Sequence, residues 1–139
     1  MARRDSYIEH LTQVPLFSAC SQDELRKLSR RTTDIPIPEG HVLVKEGERG
    51  VEFFVIVSGR AKVSRRGRKV GELGPGDFFG ELALLIDSGR NATITALTPM
   101  EAIVLSRREF EAAVAEAPRM TRKIMSGMAS RLAEFDSRV

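Results

Sequence analysis

Glycine divides this sequence into three zones, and that division limits what the chain can fold into more than any other feature. Ten of the eleven glycines fall between Gly40 and Gly89. The flanks on either side are almost free of glycine and rich in helix-forming residues. A turn-rich middle between helical flanks is the pattern of a small sheet bracketed by helices, an α+β chain. The zones read as helical 1–33, sheet 34–106 and C-terminal helices 107–138, together one domain over 1–139. The apolar fraction of 42% supplies one core without disulfides or a metal.

In the first zone, Ser6 to Gln13 predicts a short helix broken by Val14-Pro15-Leu16-Phe17. Ser21 then caps a second helix that runs to about Arg31, with Glu24 three residues on in capping-box spacing. In the middle zone, Asp34 to Ile37 is held extended by Pro36 and Pro38, and His41 to Val44 follows a Pro38-Glu39-Gly40 turn. The run Phe53-Phe54-Val55-Ile56-Val57, within Glu52 to Ser58, predicts a buried strand. Ala61 to Arg65 and Lys69 to Leu73 form a hairpin around Arg66-Gly67-Arg68, and Gly74-Pro75-Gly76-Asp77 is another turn. Asn91 to Ala96 and Glu101 to Leu105 are the last strands. Regularly spaced short strands with tight turns predict a small barrel or roll. In the last zone, Ser106 and Glu109 predict a second capping box for a helix from Arg107 to about Ala115. Pro118 suits the first turn of a final helix, on which Met120, Ile124, Met128, Leu132 and Phe135 form one apolar stripe.

One stretch breaks the strand pattern: residues 78 to 93, a short helical piece followed by a loop that carries Arg90 between small residues. A helix starting at Gly80 has N–H groups pointing outward, and such groups attract phosphate. Gly80 and Ala83 let a ligand approach the backbone. Arg90 offers a planar fork of donors matched to phosphate oxygens. Glu81 would repel a phosphate, so a sugar hydroxyl is its better partner. One anion site beside one hydroxyl site describes a ribose phosphate. Taken singly, a lone arginine is a solvated charge and a lone glutamate at a helix start merely suits the helix dipole; only the combination points to a ligand.

That combination resembles the phosphate-binding cassette of the cyclic-nucleotide-binding domain family, which includes regulatory subunits of cAMP-dependent protein kinase, cyclic-nucleotide-gated channels and catabolite activator transcription factors. The matching residues are Phe79-Gly80-Glu81-Leu82-Ala83-Leu84-Leu85 and Arg90-x-Ala92-Thr93. Pro38-Glu39-Gly40, Lys45-Glu46-Gly47-Glu48, Phe54-Val55-Ile56-Val57-Ser58-Gly59 and Pro75-Gly76-Asp77-Phe78 fall in the family's order, so the likeness spans about residues 12 to 137. It implies an eight-stranded β-roll (jelly roll) with N-terminal helices, two C-terminal helices and the cassette within the roll. It implies that Arg90 binds the cyclic phosphate, joined by the backbone of Leu82, Ala83 and Ala92, and that Glu81, beside Gly80, binds the ribose 2'-hydroxyl. Val44, Val63, Val70 and Leu73 are candidates to pack on base and sugar, with plain core as the equal alternative. Phe135 is the candidate to stack on the base, with Asp136 and Arg131 nearby; the alternative for Phe135 is a helix–helix seam.

Two positions depart from the family. Gly89 stands where proline usually precedes the arginine, which loosens the loop. Asn91 follows the arginine, where cGMP-selective members typically carry Thr and cAMP-selective ones Ala or Ser. The ligand expected is cAMP, with cGMP as the alternative; no cofactor is expected.

Other functions fit less well. No nucleophile stands with a base and no metal-ligand cluster is spaced for use, so neither an enzyme nor a metal site is expected. The net charge of +3 is too weak to argue for nucleic acid, and no output motif follows Phe135. No apolar run approaches the roughly 20 residues of a membrane helix, and a single cysteine, Cys20, suits a reducing cytoplasm. The reading is a stand-alone cytoplasmic receptor signalling to an unidentified protein partner by movement of the last helix, which also offers a seam for a homodimer. The alternatives are a ligand-independent interaction module, or the sensor part of a larger channel, kinase or transcription factor.

Overall fold

The computed structural model describes the backbone of residues 2–87 and 89–138 and, within that span, the side chains of residues 7–87 and 89–129. The chain divides into two compact units, one made of residues 1–31 with 108–139 and the other of residues 32–107.

The second unit is a β-roll of eight antiparallel strands: β1 (Thr33–Ile37), β2 (Val42–Val44), β3 (Glu52–Ser58), β4 (Ala61–Arg65), β5 (Arg68–Leu73), β6 (Phe78–Phe79), β7 (Thr93–Ala96) and β8 (Met100–Ser106). They form two four-stranded sheets, ordered β1-β8-β3-β6 and β2-β7-β4-β5. β3 and β8 run as continuous apolar segments because they are buried on both faces. Ile37, Phe54, Ile56, Ala61, Ile94, Ala96, Met100, Ala102 and Val104 form the core of the roll. Phe54 stacks on Phe79 with ring centroids 4.8 Å apart, which fixes the two-residue strand β6 against β3.

Glycine supplies the turns. Arg66 (φ 53°) and Gly67 (φ 78°) both adopt left-handed backbone between β4 and β5, the two-residue turn whose twist matches a hairpin. After β5, Gly76 (φ 88°) follows Pro75, and the turn is closed by Asp77 N–H donating to the Gly74 carbonyl at 3.0 Å and Gly74 N–H donating to Asp77 Oδ2 at 2.8 Å.

The first unit is helical: α1 (Ala2–Thr12), a 3-10 turn (Pro15–Phe17), α2 (Gln22–Arg30), α3 (Arg107–Glu116, whose first residue belongs to the roll) and α4 (Arg119–Arg138). α1 starts earlier than the sequence predicts. The capping box that opens α2 is formed: Ser21 Oγ accepts from Glu24 N–H at 3.2 Å, and Glu24 Oε1 accepts from Ser21 N–H at 2.8 Å. The same Glu24 oxygen receives Lys123 Nζ from α4 at 2.7 Å. Arg31 bridges Glu109 at 2.9 Å and also pairs with Glu116, and the Phe17 and Phe110 rings lie 6.3 Å apart. α3 and α4 meet at Ala117-Pro118, where Ala117 N–H still bonds back to the Ala113 carbonyl at 3.1 Å.

The apolar stripe on α4 needs a correction. Met120 and Ile124 are buried, but Met128 is 37% exposed. Each step of four residues rotates about 40° around a helix with 3.6 residues per turn, so Met128 has left the face that Met120 opens. Gly127 occupies that face instead and lies against the carbonyls of Pro15 and Leu16. Leu132 and Phe135 lie outside the described side chains, as do Arg131 and Asp136.

Candidate functional site

The site is built from three pieces of the roll: the loop 45–52 leading into β3, the segment 80–87 after β6, and the residues entering β7. Gly80 adopts left-handed backbone (φ 84°), which a side chain resists. It opens a 3-10 turn, Glu81–Leu84, and not the α-helix that the sequence suggests. The turn closes at once, with Leu85 and Ile86 N–H both donating to the Leu82 carbonyl, at 3.0 and 2.9 Å. Ala83 N–H donates to the Gly80 carbonyl at 3.0 Å, so a phosphate that recruits it must share or displace that bond. Glu81 is buried at 6% exposure, Ala83 is buried, and Leu82 is exposed. A buried carboxylate costs free energy unless it is hydrogen-bonded, so more than a suitable place on a helix dipole holds this glutamate.

Arg90 is fixed by its backbone and placed by two glycines. Its N–H donates to the Glu48 carbonyl and its carbonyl accepts from Gly47 N–H, both at 2.8 Å. The turn that carries these groups is made by Gly47 (φ 86°) and held by Glu46 N–H donating to Thr93 Oγ1 at 2.9 Å. The Lys45-Glu46-Gly47-Glu48 turn and Thr93, quoted above as separate motif pieces, therefore act together on one arginine. The guanidinium donates from Nη2 to the Glu52 carbonyl at 2.7 Å. A Cβ built on Gly80 would stand 2.5 Å from Arg90 Nη1, and one on Gly50 would stand 1.9 Å from Arg90 Nε. Gly80 thus clears space for Arg90, beyond the ligand approach that sequence reasoning gave it. Burial pushes the Arg90 pKa down, and the Glu52 carboxylate partly offsets that. Among the described residues no carboxylate closes an ion pair with it.

The remaining candidates take different positions. Ala92 is buried where β7 begins. Asn91 is exposed, and its carbonyl accepts from Arg65 Nε at 3.1 Å. Val44, Val63 and Leu73 pack partly buried against the core of the roll. Val70 stands apart at 55% exposure, because β4 and β5 shift register between Val63↔Gly71 and Ser64↔Lys69 and leave Val70 opposite no residue. Phe135 belongs to the side chains that are not described. Among the described residues no group of His, Cys, Asp or Glu is placed to hold a metal, and no helix is long and apolar enough to cross a membrane.

Sequence reasoning missed Gly50, the Glu52 carbonyl and Arg107. Arg107 Nε donates to the Ala83 carbonyl and its Nη2 to the Ile86 carbonyl, both at 2.7 Å. Gly50 alone had a signal, as a glycine in the middle zone that no predicted turn required.

Known proteins resemble this chain in sequence and fold. Residues 35–117 match the family described as "Cyclic nucleotide-binding domain". The chain is 37% identical over 111 residues to a cAMP-dependent protein kinase regulatory subunit of Yarrowia lipolytica, covering 78% of this chain and 30% of the relative. It is 36% identical over 117 residues to a cGMP-dependent protein kinase of Caenorhabditis briggsae, covering 79% of this chain and 16% of the relative. The crystal structure of the N-terminal domain of a transcriptional regulator from Streptomyces coelicolor superposes with a TM-score of 0.85 at 26% identity, covering 92% of this chain and 95% of that one. The chain therefore spans less than a third of the length of these two curated relatives.

Proposed function

The chain belongs to the cyclic nucleotide-binding domain family, and from that premise we propose that it is a receptor for cAMP that performs no chemistry and signals through its C-terminal helix to a protein partner. The observation that carries this reading is the setting of Arg90. A half-buried guanidinium is held by a neutral carbonyl at 2.7 Å, with its backbone clamped on both sides. A partly desolvated cation that, among the described residues, is bonded to a neutral carbonyl gains more from an anion than a fully solvated arginine does.

In this reading Arg90 exchanges the Glu52 carbonyl for an oxygen of the cyclic phosphate. The backbone of Leu82, Ala83 and Ala92 adds donors, Glu81 accepts from the ribose 2'-hydroxyl, and Val63, Leu73 and Val70 meet the base and sugar. Ligand binding favours one of two arrangements of the cassette, and the break at Ala117-Pro118 lets α4 respond. cAMP is the ligand favoured, with cGMP the alternative, since Asn91 is neither the Thr typical of cGMP-selective members nor the Ala or Ser typical of cAMP-selective ones, and its amide can reach a phosphate oxygen or a guanine edge. A lone cysteine fits a reducing cytoplasm.

A second reading has its own support. The curated relatives are several-fold longer than the matched region, so the chain would be the sensing part of a larger kinase, channel or transcription regulator. The ligand site is the same in both.

Isothermal titration with cAMP and cGMP tests the receptor reading. One-site heat is expected for the wild-type chain, stronger binding for cAMP, and a loss of roughly 100-fold or more for Arg90→Ala. No heat from either nucleotide at millimolar concentration overturns it.

A further inference from the structure

The contacts of Arg107 reach both halves of the candidate site. Its side chain forks across the 3-10 turn, Nε to the Ala83 carbonyl and Nη2 to the Ile86 carbonyl, both at 2.7 Å. Its backbone N–H donates to the Val51 carbonyl at 2.8 Å. Val51 lies between Gly50, over which the Arg90 guanidinium rests, and Glu52, whose carbonyl holds that guanidinium. β3 and β8 are paired at this point, Glu52 opposite Ser106, so the position of Arg107 is set by the ladder. One residue therefore ties the segment that seats the arginine to the turn that carries the glutamate.

We propose that Arg107 is a positioning residue for the cyclic-nucleotide site, holding the cassette turn at a fixed distance from the seat of Arg90. The inference rests on the receptor reading above. The end of a short turn leaves carbonyls without helical partners, and the planar guanidinium reaches two of them from two different nitrogens held in fixed geometry, whereas an ammonium has one nitrogen on a flexible stem. With the fork in place, the turn meets its ligand already ordered, and the ordering cost falls out of the binding free energy. Because Arg107 is also the first residue of α3, a shift of the Ala83 and Ile86 carbonyls on ligand binding pulls directly on the first peptide of that helix. The first residue of α3 is thus hydrogen-bonded to the cassette turn.

The test compares wild type, Arg107→Lys and Arg107→Ala as full chains. cAMP titration is expected to weaken by roughly 10- to 30-fold in both variants, and amide hydrogen exchange across residues 82–87 of the unliganded protein is expected to accelerate. A Lys variant that binds as the wild type does shows that charge or stem packing suffices, and overturns the proposal. Exchange at the wild-type rate in Arg107→Ala, with wild-type binding intact, overturns it while leaving the receptor reading standing. A wild-type chain that binds no nucleotide ends the receptor reading and the ligand role of Arg107 together, and the exchange measurement then reports only whether the fork orders the turn.

Discussion

Arg90 lies in the space that Gly50 leaves empty: a Cβ at residue 50 would stand 1.9 Å from Arg90 Nε and 2.1 Å from Cζ. The two residues are 40 apart in sequence, and the first residue of β3, two positions after Gly50, supplies the carbonyl on which the guanidinium rests. The seat of the arginine is therefore a property of the backbone at residues 50–52.

Gly50→Ala and Gly80→Ala should fail in different ways. At Gly50 the three atoms nearest the Cβ all belong to the end of a flexible side chain, so the guanidinium should be displaced, cAMP binding drop at least tenfold, and the melting temperature barely move. At Gly80 the Cβ also meets the Glu52 carbonyl oxygen at 2.7 Å, and φ is 84°. Left-handed strain plus that clash should cost about 2 kcal/mol of stability or more. Thermal melts beside titration distinguish the two; equal destabilisation by both substitutions contradicts the assignment.

Gly127→Ala should invert the usual rule for helices. Alanine inside a helix normally gains about 1 kcal/mol over glycine. Here the new Cβ would stand 2.7 Å from the Pro15 carbonyl oxygen and 2.8 Å from that of Leu16, so a loss of about 1–3 kcal/mol is expected. Denaturant unfolding reads the sign directly.

Acid should weaken the helical unit through Glu24. Burial alone would raise its pKa, but the Lys123 ammonium and the Ser21 groups outweigh that and hold it below the ordinary carboxylate value. A carboxyl depressed in the folded chain contributes stability that is complete above its unfolded pKa of about 4.3 and lost as pH falls through the folded value. Stability measured from neutral to acid pH should fall less steeply in Glu24→Gln than in wild type, while the neutral-pH stability of that variant is lower. Parallel curves would remove Glu24 from the explanation.

Cys20 should react slowly with thiol reagents at neutral pH. Burial and then the Glu24 carboxylate push its pKa up to about 11, against a smaller opposing pull from Lys123, and only the thiolate is nucleophilic. Labelling by iodoacetamide at the rate of a free cysteine would contradict this.

Much of the roll was legible in the sequence because its punctuation is chemical. β3 and β4 begin and end where Glu52, Ser58, Ala61 and Arg65 predict, and the Ser21–Glu24 box formed as its spacing requires. Glu81 and Arg90 were singled out by pattern, since charge types at a fixed spacing survive as text, and the structure buries the first and seats the second beside Gly50 and Gly80. What the sequence withheld depends on distant contacts. Gly50 is not at positive φ, so no turn signature marks it; it is glycine because an arginine 40 residues later lies over it. Arg107 reads as an ordinary first residue of a helix, and its partners are carbonyls, which every residue has. The exposure of Val70 follows a one-residue register shift, and that of Met128 the drift of a four-residue step around a helix. Strand β6 is two residues long, too short for periodicity to show.

A crystal of the protein soaked with cAMP shows whether Arg90 and Glu81 grip the phosphate and the ribose of one cyclic nucleotide. Arg90 is expected to leave the Glu52 carbonyl for a phosphate oxygen, with the Glu81 carboxylate on the 2'-hydroxyl of the same molecule. Nucleotide bound elsewhere, with Arg90 still resting on Glu52, would contradict it.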